Sequence, residues 1–168
     1  GPRYKIGPLG RAFLDGETLV VGGGGLADGQ DLLRIYTIPA AGAEPLPVER
    51  MKEQFNLPAQ GDVPGEGNFY GVAATSSAIF VTCNGDDAKG WISQANVRGT
   101  KIGPLQRFIA TKQAVGVDAP VAITVSPQGH LAVGQMGEID VPGDGLLTFY
   151  STGGEPLLNL PTGLHDMT

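Results

Sequence analysis

The chain has little of several features that would define its class directly. It contains one cysteine among 168 residues, and 11 Lys and Arg residues against 17 Asp and Glu residues. The lone cysteine, Cys83, excludes an intrachain disulfide, and we interpret it as a small buried core residue. No apolar run approaches the about 20 residues of a membrane-spanning helix. The net charge of −6 leaves no basic stripe to neutralise phosphates, so nucleic acid is excluded as a partner.

Helical patterns are also missing. The 27 glycines and 13 prolines would interrupt helices along most of the chain. No segment carries apolar residues at the sustained spacing of an amphipathic helix. An apolar content of 41% with 17% charged residues is nevertheless ordinary for a globular domain. The sequence therefore predicts an all-β fold.

What the chain does contain is one motif repeated three times. In each copy an apolar run with an alanine reaches a polar turn, and a second apolar run ends at glycine, which predicts a β-hairpin. The copies are RAFLDGETLVVG at 11–22, GVAATSSAIFVTCNG at 71–85 and VAITVSPQGHLAVG at 121–134. Alignment on Ala12, Ala73 and Ala122 gives units of unequal length, and we assign the difference to loops.

Each hairpin is followed by an acidic, glycine-rich segment and by two further apolar stretches. The third predicted strands are Leu32–Tyr36, Trp91–Ala95 and Leu146–Tyr150. The fourth are Leu46–Leu57, Leu105–Lys112 and Leu157–Leu160. The first of these is the least strand-like, because Val48–Gln54 fits a helical turn equally well. Each unit is thus expected to form four short antiparallel strands.

Units of about 40 to 50 residues with four short antiparallel strands resemble the blades of a β-propeller. The stretch Val121–Val133, with its Ala…Gly-x-Leu-x-Val pattern, resembles NHL-repeat and gluconolactonase-like propellers. The expected architecture is a single propeller portion of about three blades. Their bounds are 7–65, 66–116 and 117–163, with 164–168 leading into a further blade. Closed propellers typically have four or more blades, so closure would need a second copy, a complementary propeller half or missing sequence.

The resemblance implies which loops share a face. Segments between second and third strands would lie together with the segments leading into each blade, on the face opposite the hairpin turns. All three second-to-third segments are acidic, which predicts a concentrated negative potential and a basic protein or divalent cation as partner. Such residues are equally common in ordinary solvated turns. The carboxylates are those of Asp28, Asp31, Asp86, Asp87, Glu138, Asp140 and Asp144.

Gluconolactonase-like propellers hold a central divalent cation, and the resemblance implies a ligand set for Ca²⁺ here. It would consist of Glu66, Asn68, Asp118 and Asp166, with His165 as an acid/base group. Tight turns demand the same residue types, and no local motif fixes the set. The alternative function is therefore a calcium-dependent hydrolase of the lactonase or esterase type, whose site is completed by further blades.

Aromatic residues at strand spacing are expected to pack between blades, namely Trp91, Phe108, Phe149 and Tyr150. Phe69 is expected in the core. A catalytic role for Cys83 would require His130 or His165 as its partner, and those are the two histidines of the chain.

We favour a non-enzymatic function, that of a protein-interaction or scaffolding β-propeller with an acidic loop face. It would close its ring by assembling with itself or another chain, and it requires no cofactor. An isolated portion would expose the apolar faces of its two terminal sheets. The sequence leaves the compartment open among soluble, secreted and periplasmic locations after processing.

Overall fold

The computed structural model describes residues 7–24, 32–38, 53–58, 68–84, 90–99, 101–111, 119–136 and 143–164. Within these ranges the chain forms β-strands and no helix, so the predicted all-β fold is confirmed. The strands are β1 (Gly7–Phe13), β2 (Thr18–Gly24), β3 (Leu32–Thr37), β4 (Glu53–Pro58), β5 (Asn68–Ala74), β6 (Ala78–Asn84), β7 (Trp91–Arg98), β8 (Lys101–Ile102), β9 (Gln106–Ala110), β10 (Ala119–Val125), β11 (Leu131–Met136), β12 (Leu146–Tyr150) and β13 (Pro156–Pro161).

The strands form three antiparallel sheets, each drawn from one sequence unit. The first sheet contains β1 to β4 and the third contains β10 to β13, both in chain order. The middle sheet has five strands, because the short β8 and the longer β9 both pair with β7. Of the fourth stretch predicted at Leu46–Leu57, strand β4 covers Glu53 onwards, and residues 46–52 lie outside the described ranges.

The three hairpin turns use the same device, a short polar side chain that accepts a hydrogen bond from the backbone of its own turn. The acceptors are Asp15, Thr75 and Ser126. They bind the N–H groups of Thr18, Ala78 and His130 at 2.7, 3.1 and 3.1 Å. Such side chains stabilise tight reversals, which explains the polar residues at the predicted turns.

The hairpin registers give the correspondence between the units. The backbone bonds that close the turns start at Leu14, Thr75 and Ser126. Counting back from these residues, Ala12 and Ala73 correspond to Thr124, whereas Ala122 corresponds to Gly10. The alignment on Ala122 was therefore wrong by two positions. Turn hydrogen bonds fix the pairing register, and an alanine is small enough to stand at several positions of a strand.

The sheets stack face to face, and we name the two sides of each sheet front and back. The front faces carry Leu19 and Val21 in the first sheet, Ile79 and Val81 in the middle sheet, and Leu131 and Val133 in the third. The back faces carry the alternate residues. Because successive side chains of a strand point to opposite sides, every strand contributes to both faces.

Two apolar junctions hold the stack together. In the first, Val20, Leu33 and Ile35 on the back of the first sheet pack against the front of the middle sheet. In the second, Phe80 and Ile92 on the back of the middle sheet pack against the front of the third. The middle sheet is thus covered on both sides, and its strand β6 is buried at every position from Ala78 to Cys83.

Candidate functional site

The segments that join the second and third strands of each unit leave from one edge of the stack, which we call the loop edge. A Cβ on Gly10 would collide with the backbone of Tyr70 and Val72, and one on Gly71 would lie 2.6 Å from the carbonyl oxygen of Val121. Corresponding residues of β1, β5 and β10 therefore face one another, so the three sheets have the same orientation. The hairpin turns lie at the opposite edge.

Among the predicted acidic residues, Asp144 falls within the described ranges. It is half-buried between Gly143 and Gly145, beside the end of the third sheet. The Gly145 N–H donates to the Leu164 carbonyl at 2.9 Å, and Thr162 donates its N–H and Oγ1 to the Gly145 carbonyl, both at 3.0 Å. Asp144 is therefore held by a backbone bridge. Asp28, Asp31, Asp86, Asp87, Glu138 and Asp140 lie outside the described ranges.

Of the calcium ligand set, the structure describes the backbone of Asn68. This residue opens β5 and pairs with Asn84, so it lies at the loop edge. The described residues contain no group of three or more His, Cys, Asp or Glu side chains that could hold a metal ion. The calcium site stays a prediction, because its other members lie outside the described ranges, namely Glu66, Asp118, His165 and Asp166.

Cys83 is a buried core residue, as predicted. Its Sγ lies 3.4 Å from Ser93 Oγ, which also accepts a hydrogen bond of 2.8 Å from Trp91 Nε1. Cys83 is near the loop edge and His130 ends a hairpin turn at the opposite edge, so these two residues do not form a catalytic pair. The ring of Trp91 is buried at the first junction, and the guanidinium carbon of Arg107 lies 4.4 Å from its centroid.

A second buried polar group lies on the front of the third sheet and had no signal in the sequence. Gln135 Nε2 donates to Thr148 Oγ1 at 2.9 Å, next to Tyr150. All three side chains are fully buried. Burial raises the pKa of the Tyr150 phenol to about 12, and the neighbouring Gln135 and Thr148 side chains oppose that rise in part. The group is structural in position, since it lies inside the second junction.

Thr82 bridges the middle and third sheets, which sequence reasoning also missed. Its Oγ1 accepts a hydrogen bond from the Gly71 N–H at 2.7 Å and donates to the Val121 carbonyl at 2.7 Å. The hydroxyl therefore satisfies the bulged part of β5 and links it to β10. Glycine at position 71 is the one visible signal, because a Cβ there would fill the space between the two strands.

The two outer faces of the stack are the strongest candidate for an interaction site. Large apolar side chains are exposed on the first and third sheets and, within the described ranges, none is exposed on the middle sheet. On the outer faces these are Phe13 at 59%, Leu158 at 50% and Leu160 at 41%. Leu157, at a register shift in β13, is 49% exposed, and Leu164, after the end of β13, is 54% exposed. The expectation that the terminal sheets expose apolar surface is thereby confirmed.

No family model and no curated protein matches the sequence. The described part of the chain contains no helix that is both long and apolar enough to cross a membrane. The class of the protein is therefore defined by its fold, a stack of three antiparallel sheets built from sequence repeats. Its distinguishing feature is that no described sheet covers the outer faces of the first and third sheets, which carry apolar side chains.

Proposed function

We propose that this chain is an interaction or scaffolding module of the β-propeller type, which completes its ring by assembling with itself or another chain. The observation that carries the proposal is the pair of apolar faces, at the two ends of the stack, that no described sheet covers. Contiguous exposed apolar surface is uncommon on monomers and marks interaction sites. The three described sheets are fewer than closed propellers contain, so closure of a ring would take further sheets, from a partner chain or from further sequence.

The loop edge is the second part of the proposal. We assign it the binding of a basic protein or a divalent cation, because its three connecting segments contribute six of the predicted carboxylates and Asp144 flanks the third. The common orientation of the sheets supports this assignment, since it directs all three segments to one edge. Clustered charges of one sign raise the local concentration and association rate of an oppositely charged partner.

The assembly is tested by the solution mass from light scattering on a sizing column, measured over a wide range of protein concentration. A discrete species of two or more copies is expected. A chain that is monomeric at every concentration would overturn self-assembly as its function.

The loop edge is tested separately by binding to polylysine as a basic probe. The double variant Asp86→Asn, Asp87→Asn should bind more weakly, and the difference should shrink as salt is added. The matched control is Glu17→Gln with Glu155→Gln, which removes the same charge from the hairpin-turn edge. Equal loss of binding in both double variants would mean that net charge alone, and not the loop edge, attracts the probe.

A further inference from the structure

The two ends of the stack present one front face and one back face, and these two kinds of face pack against each other inside the chain. Each internal junction joins one back face to one front face. The faces that no described sheet covers are the front of the first sheet and the back of the third sheet. An open front and an open back are therefore the two halves of one further junction of the same kind.

The front of the first sheet repeats residues that are buried on the front of the third sheet. The corresponding pairs are Leu19 and Leu131, Val21 and Val133, and Tyr36 and Tyr150. In the third sheet all three residues are fully buried at the second junction. In the first sheet the same residue types are half-buried, and Phe13 beside them is 59% exposed. The first sheet thus has the packing residues of a junction without the back face that would cover them.

The back of the third sheet offers such a covering face. Phe149 pairs with Leu158, and Leu147 pairs with Leu160, so two apolar rows run across neighbouring strands. Both leucines of β13 are about half exposed, at 50% and 41%. The corresponding positions on the middle sheet, which include Ile92, cover the third sheet at the second junction.

We propose that the back of the third sheet binds the front of the first sheet in a second copy of this chain. Two copies joined head to tail in this way would close a ring of six sheets, three from each. The inference rests on the proposed function and names its partner. A head-to-tail contact repeated by a two-fold axis covers both open faces of both copies.

Coverage of both kinds of face favours this pairing over a contact between two identical faces. Arg11 and Arg34 lie on the front of the first sheet, in one row with Val21. The described positions on the back of the third sheet carry no ionisable side chain. Two front faces together would bring these arginines into one interface and would leave the back faces uncovered. Two back faces together would leave the front faces uncovered.

The proposed junction between two copies differs from the two internal junctions in one residue of the innermost strand. Gly10 and Gly71 let the innermost strands approach closely, whereas the corresponding residue of the third sheet is Ala122. The methyl group of Ala122 would keep strand β1 of the second copy farther from β10 than the glycines keep the innermost strands inside the chain. Contact between the two copies is therefore made mainly by the outer rows, around Phe149 and Leu158.

The experiment uses two variants that each break one face, Phe13→Glu on the front of the first sheet and Leu158→Glu on the back of the third. Both side chains are at least half exposed, so both variants are expected to fold, which far-ultraviolet circular dichroism checks. Gln128→Glu, at an exposed hairpin turn, is the control for an added carboxylate. Masses are measured for each chain alone and for the two variants mixed.

Each variant alone should be monomeric, because a head-to-tail contact needs one intact face of each kind. The mixture should form an open dimer, since the back face of one variant and the front face of the other remain intact. If one variant still dimerises alone and the mixture forms no mixed species, identical faces pair and the inference is wrong while self-assembly stands. If the unaltered chain is monomeric throughout, the proposed function fails as well.

Discussion

The middle and third sheets share four antiparallel strands in chain order, with β8 as an addition in the middle sheet, yet they differ in how many of their faces are covered by described sheets. Ile92 in the middle sheet and Leu147 in the third occupy corresponding positions on the back face. Ile92 is fully buried, whereas Leu147 is half-buried on the open face. The same pattern of alternating apolar residues thus stabilises the fold in one sheet and provides a binding surface in the other.

The largest expected effect comes from removing buried volume at one of these two positions. Ile92→Ala should lower the free energy of unfolding by about 2–5 kcal/mol, because it leaves a cavity in the second junction. The matched variant Leu147→Ala should cost less than about 1.5 kcal/mol, since half of that side chain already contacts water. Urea unfolding of both variants measures the difference. Equal losses at a protein concentration where the chain is monomeric would show that the back of the third sheet is covered within the single chain.

A smaller effect is expected where the innermost strands meet. A Cβ on Gly71 would lie 2.6 Å from the Val121 carbonyl oxygen, so Gly71→Val must separate β5 from β10. A loss of about 1–3 kcal/mol is expected from this overpacking. Ala122→Val, at the corresponding position of the open face, should change stability by less than about 0.5 kcal/mol. Thermal unfolding compares the two, and a harmless Gly71→Val would contradict the close approach of the strands.

The hydroxyl that bridges the middle and third sheets gives the third test. Thr82→Val removes both the acceptor of the Gly71 N–H and the donor to the Val121 carbonyl. Leaving these buried groups unsatisfied should cost about 1–3 kcal/mol. Thr124→Val makes the same change on the exposed back of the third sheet and should be close to neutral. If the two variants unfold at the same urea concentration, the bridge contributes nothing to the junction.

The last prediction concerns Tyr150, whose ionisation changes the free energy of unfolding at alkaline pH and has the smallest effect at neutral pH. Burial raises its pKa from 10.0 to about 12, so the unfolded chain releases this proton first as the pH rises. The stabilising effect of the protonated phenol is complete below about pH 10 and is lost as the pH rises through about 12. The loss should be on the order of 2 kcal/mol, measured by denaturant unfolding at several alkaline pH values. Tyr150→Phe should remove this part of the pH dependence, and an unchanged profile would contradict burial of the phenol.

Much of the strand arrangement could be predicted from the sequence, because it depends on neighbouring residues. Alternating apolar residues indicated β7 and β12, and the polar turn inside each repeated motif indicated a hairpin. The correspondence of the third unit could not be read from Ala122, since the pairing register depends on hydrogen bonds across the turn. The additional pairing of β8 with β7 likewise had no pattern long enough to indicate it.

For the candidate site, too, one part could be predicted from the sequence and another part could not. The number of repeated units predicted that the terminal sheets expose apolar surface. Which apolar residues are exposed, such as Leu158, depends on the side of the sheet to which each side chain points. The bridge through Thr82 and the group of Gln135, Thr148 and Tyr150 were missed, because their partners lie in other strands or sheets. Hydroxyl and amide side chains carry no sequence signal that separates a buried hydrogen bond from an exposed one.

By itself the sequence determined the all-β class, the three repeated units and the chemistry of their turns, since alternation and turn formation act over a few residues. The tertiary structure alone decided which repeated residues are buried. Tyr36 and Tyr150 are the last residues of two nearly identical segments, LLRIY in β3 and LLTFY in β12, yet the first is half-buried and the second fully buried. The difference arises because a neighbouring sheet covers the front of the third sheet and none of the described sheets covers the front of the first.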